Sequence, residues 1–166
     1  MTHKKAKENT YPVTAGIRFL RAHKGVYVPH VYPFEYHGHV SETCARLMGV
    51  DLHLVVKTLV MEDEGGHPFL ILMPGDKEVS TKGLARIMGV KKVSPCIPEI
   101  AEKYSGFKVG GCSPFGARRA MPVYMEEKIL EQESVYINGG KRGFILEMNP
   151  EEIRRLIQPV LVNVGI

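Results

Sequence analysis

Nowhere in the 166 residues does an apolar run approach the ~18 that a membrane-spanning helix requires, so neither a spanning helix nor a membrane partner is expected. The opening stretch, Met1 to Asn9, is polar and lacks the apolar core of a secretory signal. Cysteine is scarce: Cys44, Cys96 and Cys112 are odd in number, widely spaced, and form no CxxC pair. A disulfide framework is therefore not expected, and the pattern suits a reducing, cytoplasmic compartment. Excess charge is also small. Lys plus Arg is 22 and Asp plus Glu is 18, a net +4. Residues 1–30 hold Lys4, Lys5, Lys7, Arg18, Arg21 and Lys24 against Glu8 alone, which leaves the remainder slightly acidic. A broad nucleic-acid-binding surface is not expected; an acidic partner is permitted, not demanded.

What is present supports one ordinary domain. At 44% hydrophobic the chain can bury a core, which excludes wholesale disorder. Residues 1–11 read as a solvated tail and residues 12–166 as the domain. Thr14 caps an expected helix over 15–24 that stops at Gly25. Residues 26–36 alternate weakly, and Pro29 and Pro33 demote that strand to a sheet edge. Ser41 and Ser80 read as caps of short helices ending at Gly49 and Gly89. The near-repeat ARLMGV/ARIMGV at 45–50 and 85–90 reads as two such helix ends, each closed by a left-handed glycine, and not as a duplication. Residues 54–61 and 68–73 form a hairpin around DEGGH. Ser94 and Pro95 introduce a helix to about Tyr104. Strands follow at 122–125, 134–137 and 144–148, the last two joined by NGGKRG. Asn149-Pro150-Glu151-Glu152 starts a helix, and 159–164 closes the chain as a strand. Short, mixed, interrupted elements imply an α+β domain with one twisted, largely antiparallel sheet.

Four places could carry chemistry. Lys57 puts an ammonium inside the apolar strand VVKTLV, where a charge is costly unless paired or used; a half-exposed strand with a snorkelling lysine fits as well. The loop VGGCSPFG, 109–116, can turn several N–H groups toward one oxygen through Gly110 and Gly111, or serve as a tight connection. Cys112 has no evident His partner, which favours packing over nucleophilic attack. NGGKRG, 138–143, lacks the GxxxxGK[ST] pattern and joins two strands, so a nucleoside-triphosphate loop is rejected. Lys141 and Arg142, like Arg118 and Arg119, remain candidates for a phosphate backbone. His37 and His39 share a strand face but lack further ligands at local spacing, so no metal is expected.

Lys57 in V-x-K-T-L, Gly110–Gly116 in GG-x-S-P-x-G, and Gly139–Gly143 in GGKRG occur in an order that resembles the YbaK family, related to the editing domain inserted in bacterial prolyl-tRNA synthetases. The likeness runs from about residue 15 to the end, and is closer to free-standing Cys-tRNA(Pro) deacylases than to the alanine-editing branch. It implies a single-domain α+β fold with a strongly curved mixed sheet or partial barrel and short flanking helices. It also implies deacylation of mischarged tRNA without metal or organic cofactor. The partners implied are the acceptor end of aminoacyl-tRNA and a prolyl-tRNA synthetase, with the chain a monomer or small homo-oligomer. By this resemblance Lys57 matches an essential lysine and Tyr36 a tyrosine lining the pocket. Gly111 and Ser113 match the loop that holds the ester. Lys57 and Gly111 are thus the expected catalytic positions. Gly110, Cys112, Asn138, Gly139 and Gly140 join Tyr36 and Ser113 in substrate binding. Asn138 stands where family members often have Ser, and Ile145 where some have Asp, which bears on amino-acid specificity.

The implied chemistry is physically coherent. Proline, cysteine and alanine are similar in volume, and a pocket sorting by size gains only about 1–3 kcal/mol per methylene. A second site must then destroy the wrong ester. In this family the cysteinyl thiol itself is thought to attack the ester carbonyl, so the protein needs to bend the substrate, bind the ester oxygen and place a cation. Two other outcomes remain: hydrolytic editing of Ala- or Ser-tRNA(Pro), and a non-catalytic module that binds the tRNA acceptor beside a synthetase.

Overall fold

The structure is a computed structural model and describes residues 11–35 and 39–166. Helix α1 (Ala15–Ala22) begins where the Thr14 hydroxyl oxygen accepts the Ile17 N–H at 3.1 Å. Its buried side is Gly16, Ile17 and Leu20. Strand β1 (Val28–Val31) is shorter than its alternation suggests and lies at the sheet edge, as its prolines require. Helix α2 (Val40–Met48) follows, then strands β2 (Val55–Asp63) and β3 (Pro68–Pro74). Helix α3 (Thr81–Met88) is capped by Ser80, whose Oγ accepts the Gly83 N–H. Strand β4 (Val93–Pro95), helix α4 (Pro98–Ser105), strands β5 (Val123–Glu126), β6 (Val135–Lys141) and β7 (Phe144–Met148), helix α5 (Pro150–Ile157) and strand β8 (Val160–Val162) complete the chain. Asn149 caps α5 by accepting the Glu151 N–H, with Pro150 in the first turn, as read from the sequence.

Three local expectations fail for identifiable reasons. Ser41 lies inside α2, which is preceded by His39 with no side-chain cap. Ser94 and Pro95 do not open a helix: they belong to β4, because β2 offers Glu62 and Met61 as partners there. The helix waits for Pro98, whose fixed φ suits a first turn. NGGKRG is not the hairpin loop. Strand β6 runs through it to Lys141, with a bulge between Asn138 and Lys141, and the turn itself is Arg142-Gly143. The paired ARLMGV/ARIMGV ends behave as read. Gly49 and Gly89 have φ of 67° and 71°, and Val50 and Val90 return their N–H groups to Ala45 and Ala85 at 3.0 Å.

The eight strands form one mixed sheet, ordered β1-β7-β6-β2-β3-β5-β8, with β4 paired to β2. The pairs β1–β7, β6–β7, β2–β3 and β2–β4 are antiparallel, while β2–β6, β3–β5 and β5–β8 are parallel. The sheet is mixed and largely antiparallel, as expected, with its parallel neighbours joined by long crossovers. Strand β2 is the centre. It pairs with β3 from Val56 to Glu62. Its other edge meets β6 only at Val55 and Val56, and β4 only from Met61 to Asp63. Between these contacts, on that edge, no strand lies beside Lys57 to Val60 among the described residues, and the Cys96 N–H reaches in to the Val60 carbonyl at 3.0 Å.

Behind the sheet, Ile17 and Leu20 of α1 pack with Leu72, Phe115, Ile137, Phe144 and Leu146 in the largest core cluster. Tyr11 stacks on Phe144 with ring centroids 5.8 Å apart. Residues 1–10, the rest of the expected tail, lie outside the described residues. Thr14 serves two elements at once: it caps α1 and donates its hydroxyl to the Gly139 carbonyl in the β6 bulge. Thr14→Ala is expected to lower the unfolding free energy by about 1–2 kcal/mol, and Thr14→Ser to retain most of it. Urea unfolding of the three proteins checks this; equal midpoints for wild type and Thr14→Ala would contradict it.

Candidate active site

The opening beside β2 leads into a pocket of ≈ 680 Å³, within the usual range for small-molecule sites. Lys57 and Thr58 of β2 line it, with α2 and α4 on its flanks and Gly110, Cys112, Asn138 and Ile145 among its other neighbours. The Lys57 side chain is 19% exposed, and its Nζ lies 3.5 Å from Glu78 Oε1. Glu78 is itself 83% exposed, so the pair joins a largely sequestered cation to a solvated carboxylate. Lys57 and Glu78 are both lining residues of this pocket.

Asn138 organises the wall opposite. Its Oδ1 accepts the Gly140 and Lys141 N–H groups at 2.7 and 3.1 Å, which shapes the bulge, and its Nδ2 donates to the Gly110 carbonyl at 3.3 Å. The longer Asn thereby ties two glycine loops together. Gly140 has φ 105°, a conformation that side chains strongly disfavour. Gly111 is needed for closeness: a Cβ there would stand 2.8 Å from the Arg142 nitrogen. Arg142 braces the same contact, its Nε donating to the Val109 carbonyl at 2.8 Å.

The expected site residues divide accordingly. Lys57, Gly110, Cys112 and Asn138 meet at the pocket. Gly111 lies behind it, and its N–H is engaged by the Lys108 carbonyl at 2.8 Å. Ser113 is fully buried and uses its Oγ to accept the Phe115 N–H at 3.1 Å, a local turn. Gly139 and Gly140 support the wall without lining it. Arg118, Arg119, Lys141 and Arg142 are exposed and outside the lining, and Arg119 sits 4.8 Å over the Tyr104 ring. Tyr36 and His37 lie outside the described residues. Among the described residues no cluster of three or more His, Cys, Asp or Glu gathers that could hold a metal ion.

Two lining residues were not singled out from the sequence. Glu78 carried no signal, because it precedes the α3 cap in an ordinary loop. Thr58 Oγ1 is buried with no hydrogen-bond partner among the described residues, and nothing in the apolar run around it singles out its hydroxyl. The missing strand beside β2 lets both Lys57 and Thr58 border the pocket.

The thiols are poor nucleophiles. Burial pushes Cys112 up to about 11, partly opposed by a hydrogen bond with Ser105. Burial, reinforced by the Glu62 carboxylate, does the same for Cys96. Cys44 is raised as well, again by burial. Ile145, 3% exposed, packs with Cys44, Val55 and Tyr32 and gives one end of the pocket an apolar character.

Comparison with known proteins places these features in a family. Residues 36–156 match the Aminoacyl-tRNA editing domain. The chain is 30% identical to the "Putative Cys-tRNA(Pro)/Cys-tRNA(Cys) deacylase EbsC" of Enterococcus faecalis, covering 91% of this chain and 92% of that protein. It is 28% identical to the proline--tRNA ligase of Nitratidesulfovibrio vulgaris over 63% of this chain and 18% of the ligase. A crystal structure described as a "putative trans-editing enzyme for prolyl tRNA synthetase" superposes with TM-score 0.80 at 22% identity, covering 94% of this chain and 99% of that one.

A thiol raised to about 11 stays protonated at neutral pH and loses its proton only as pH climbs toward that value. Alkylation of Cys112 by iodoacetamide, resolved by peptide mass spectrometry, should therefore rise about tenfold per pH unit from pH 8 to pH 10. A plateau below pH 8 would mean a reactive thiolate instead.

Proposed function

The chain belongs to the aminoacyl-tRNA editing domain family, and from that premise we propose that it clears mischarged tRNA, Cys-tRNA(Pro) above all, by cleaving the aminoacyl ester. The observation that carries this reading is the Lys57 ammonium at a pocket that otherwise offers weak protein nucleophiles. The lining histidine, His39, is largely exposed and directs Nδ1 toward Glu42 at 4.0 Å, away from any nucleophile–base pairing with the cysteines.

Such a site works by holding the substrate. The cysteinyl sulfur forms a bond to its own carbonyl carbon, the ester C–O bond breaks, and the thiol proton ends on the departing ribose oxygen. The products are free tRNA and a thiolactone. Proximity of sulfur and carbon contributes about 7–11 kcal/mol, and an oxyanion site about 2.7–4 kcal/mol. Lys57 supplies positive charge for the ribose or terminal phosphate. With the Gly111 amide engaged, the neighbouring amides of Gly110 and Cys112 are the loop's donors for the ester oxygen. Gly111 acts by allowing the loop to lie against β6. Asn138 holds that loop to the bulge, so its replacement of Ser keeps the wall closed. A pocket end lined by Ile145 and Val55 suits a small apolar or thiol side chain.

The modest net charge of +4 gives little long-range attraction for tRNA, so a prolyl-tRNA synthetase presents the acceptor end, consistent with relatives that carry the matching segment within proline--tRNA ligases. Arg118, Arg119 and Lys141 remain available on the surface for the backbone.

Two outcomes test this. Lys57→Ala abolishes release of amino acid from Cys-tRNA(Pro) while far-UV circular dichroism and the melting transition stay near wild type; undiminished turnover would reject the role of Lys57. Wild-type protein cleaves Cys-tRNA(Pro) at least about a hundredfold faster than Ala-tRNA(Pro), which has no thiol to attack. Equal rates with free alanine as product would make water the nucleophile and the chain a hydrolase.

A further inference from the structure

Glu126, at the end of β5, is fully buried. Its Oε2 accepts two backbone N–H groups, from Val164 at 2.8 Å and Gly165 at 3.0 Å, while Oε1 is buried with no partner among the described residues. A buried carboxylate is costly, and this one is committed to the last residues of the chain. Those residues in turn hold the loop between β3 and α3. The Val164 carbonyl accepts the Ser80 N–H at 2.8 Å. Ile166 and Glu78 exchange two backbone hydrogen bonds, each 2.9 Å, and Val79 bridges Gly165. The same loop lines the pocket and brings Glu78 Oε1 to 3.5 Å from Lys57 Nζ.

From this continuous series of contacts we propose that the segment Val164–Ile166 is a working part of the site, and that Glu126 is a positioning residue that acts through Glu78 on Lys57. The proposal rests on the reading of Lys57 as the functional cation. The physical reason lies in the exposure of Glu78. An ion pair with so solvated a partner gains little, because two flexible side chains must be ordered. Pairing the Glu78 backbone with Ile166 removes one part of that freedom before substrate arrives. The Glu126 carboxylate accepts the Val164 and Gly165 N–H groups and so holds in place the segment that pairs with Glu78. Lys57 is thereby held toward the pocket by residues distributed over β5, the C-terminus and the β3–α3 loop.

The test uses the full protein, a deletion of Gly165 and Ile166, Glu78→Ala, the combination of the two, Glu126→Ala and Glu126→Gln. Lys57 acylation by an amine-reactive reagent is followed residue by residue by mass spectrometry, alongside deacylation kinetics and melting temperature. The deletion and Glu78→Ala should each raise Lys57 labelling by about fivefold and lower kcat by about tenfold with KM little changed, and the combination should do no more than either alone. Glu126→Ala should behave like the deletion, and Glu126→Gln, whose amide oxygen can accept the same two N–H groups, should be near wild type. Effects that multiply in the combined variant, or unaltered Lys57 labelling in the deletion, overturn the proposal; if Glu126→Ala does not fold, the deletion decides. The labelling needs no tRNA. A wild type that cleaves no ester would therefore defeat the functional reading while labelling still judges the coupling.

Discussion

Strand β2 is satisfied along one edge and interrupted along the other, and the rest of the site follows from that interruption. A central strand normally has neighbours on both sides, because unpaired backbone groups are costly once buried. Here β6 leaves after Val56 and β4 arrives only at Met61. The stretch between, which contains Lys57, borders a pocket in place of a strand. A lysine in a fully paired central strand would be forced into the core or across to solvent. At this opening its ammonium has space, a counter-charge and partial access to water.

The opening persists because both of its sides are anchored elsewhere. On one side, β6 is bent by the Asn138 bulge, which is tied to the Gly110 loop and to Thr14 at the start of α1, while Arg142 in the following turn donates to Val109 of the same loop. These are close backbone approaches, and the glycines at 111 and 140 are what such approaches need. On the other side, β4 and α4 are set by Pro98 and by the short pairing with β2. The third boundary is the β3–α3 loop, clamped by the C-terminus. The pocket is thus walled by several weakly connected segments pinned by a few hydrogen bonds each, rather than by one rigid element. Burial raises the Cys112 and Cys96 thiols to about 11, which keeps them protonated at neutral pH.

Much of this was legible in residues whose effects are local. Thr14, Ser80 and Asn149 announced helix starts because a cap bonds within three residues of itself. Gly49 and Gly89 announced helix ends because a left-handed residue is a local requirement. Lys57 stood out because a charge in an apolar run is anomalous wherever the strand lies. Errors arose where two distant segments compete or cooperate. Ser94 and Pro95 resemble a helix start until β2 claims them as a strand, and NGGKRG resembles a loop until Asn138 folds its glycines into a bulge.

The sequence by itself determined the family, the mixed α/β character of the domain, most of the helix termini, and the identity of the unusual cation, all properties carried by short-range pattern or motif order. Only the tertiary structure decided what surrounds that cation. It decided that Glu78 is its counter-ion, that Gly111 and Ser113 are spent on backbone packing, and that the last three residues brace the loop at the pocket. These depend on which strand edge is left open and on contacts such as Glu126 with Val164, 38 residues apart, and Ile166 with Glu78, far more distant in the chain. No periodicity or spacing reports such pairings, because the free energy that selects them comes from closing the whole sheet at once.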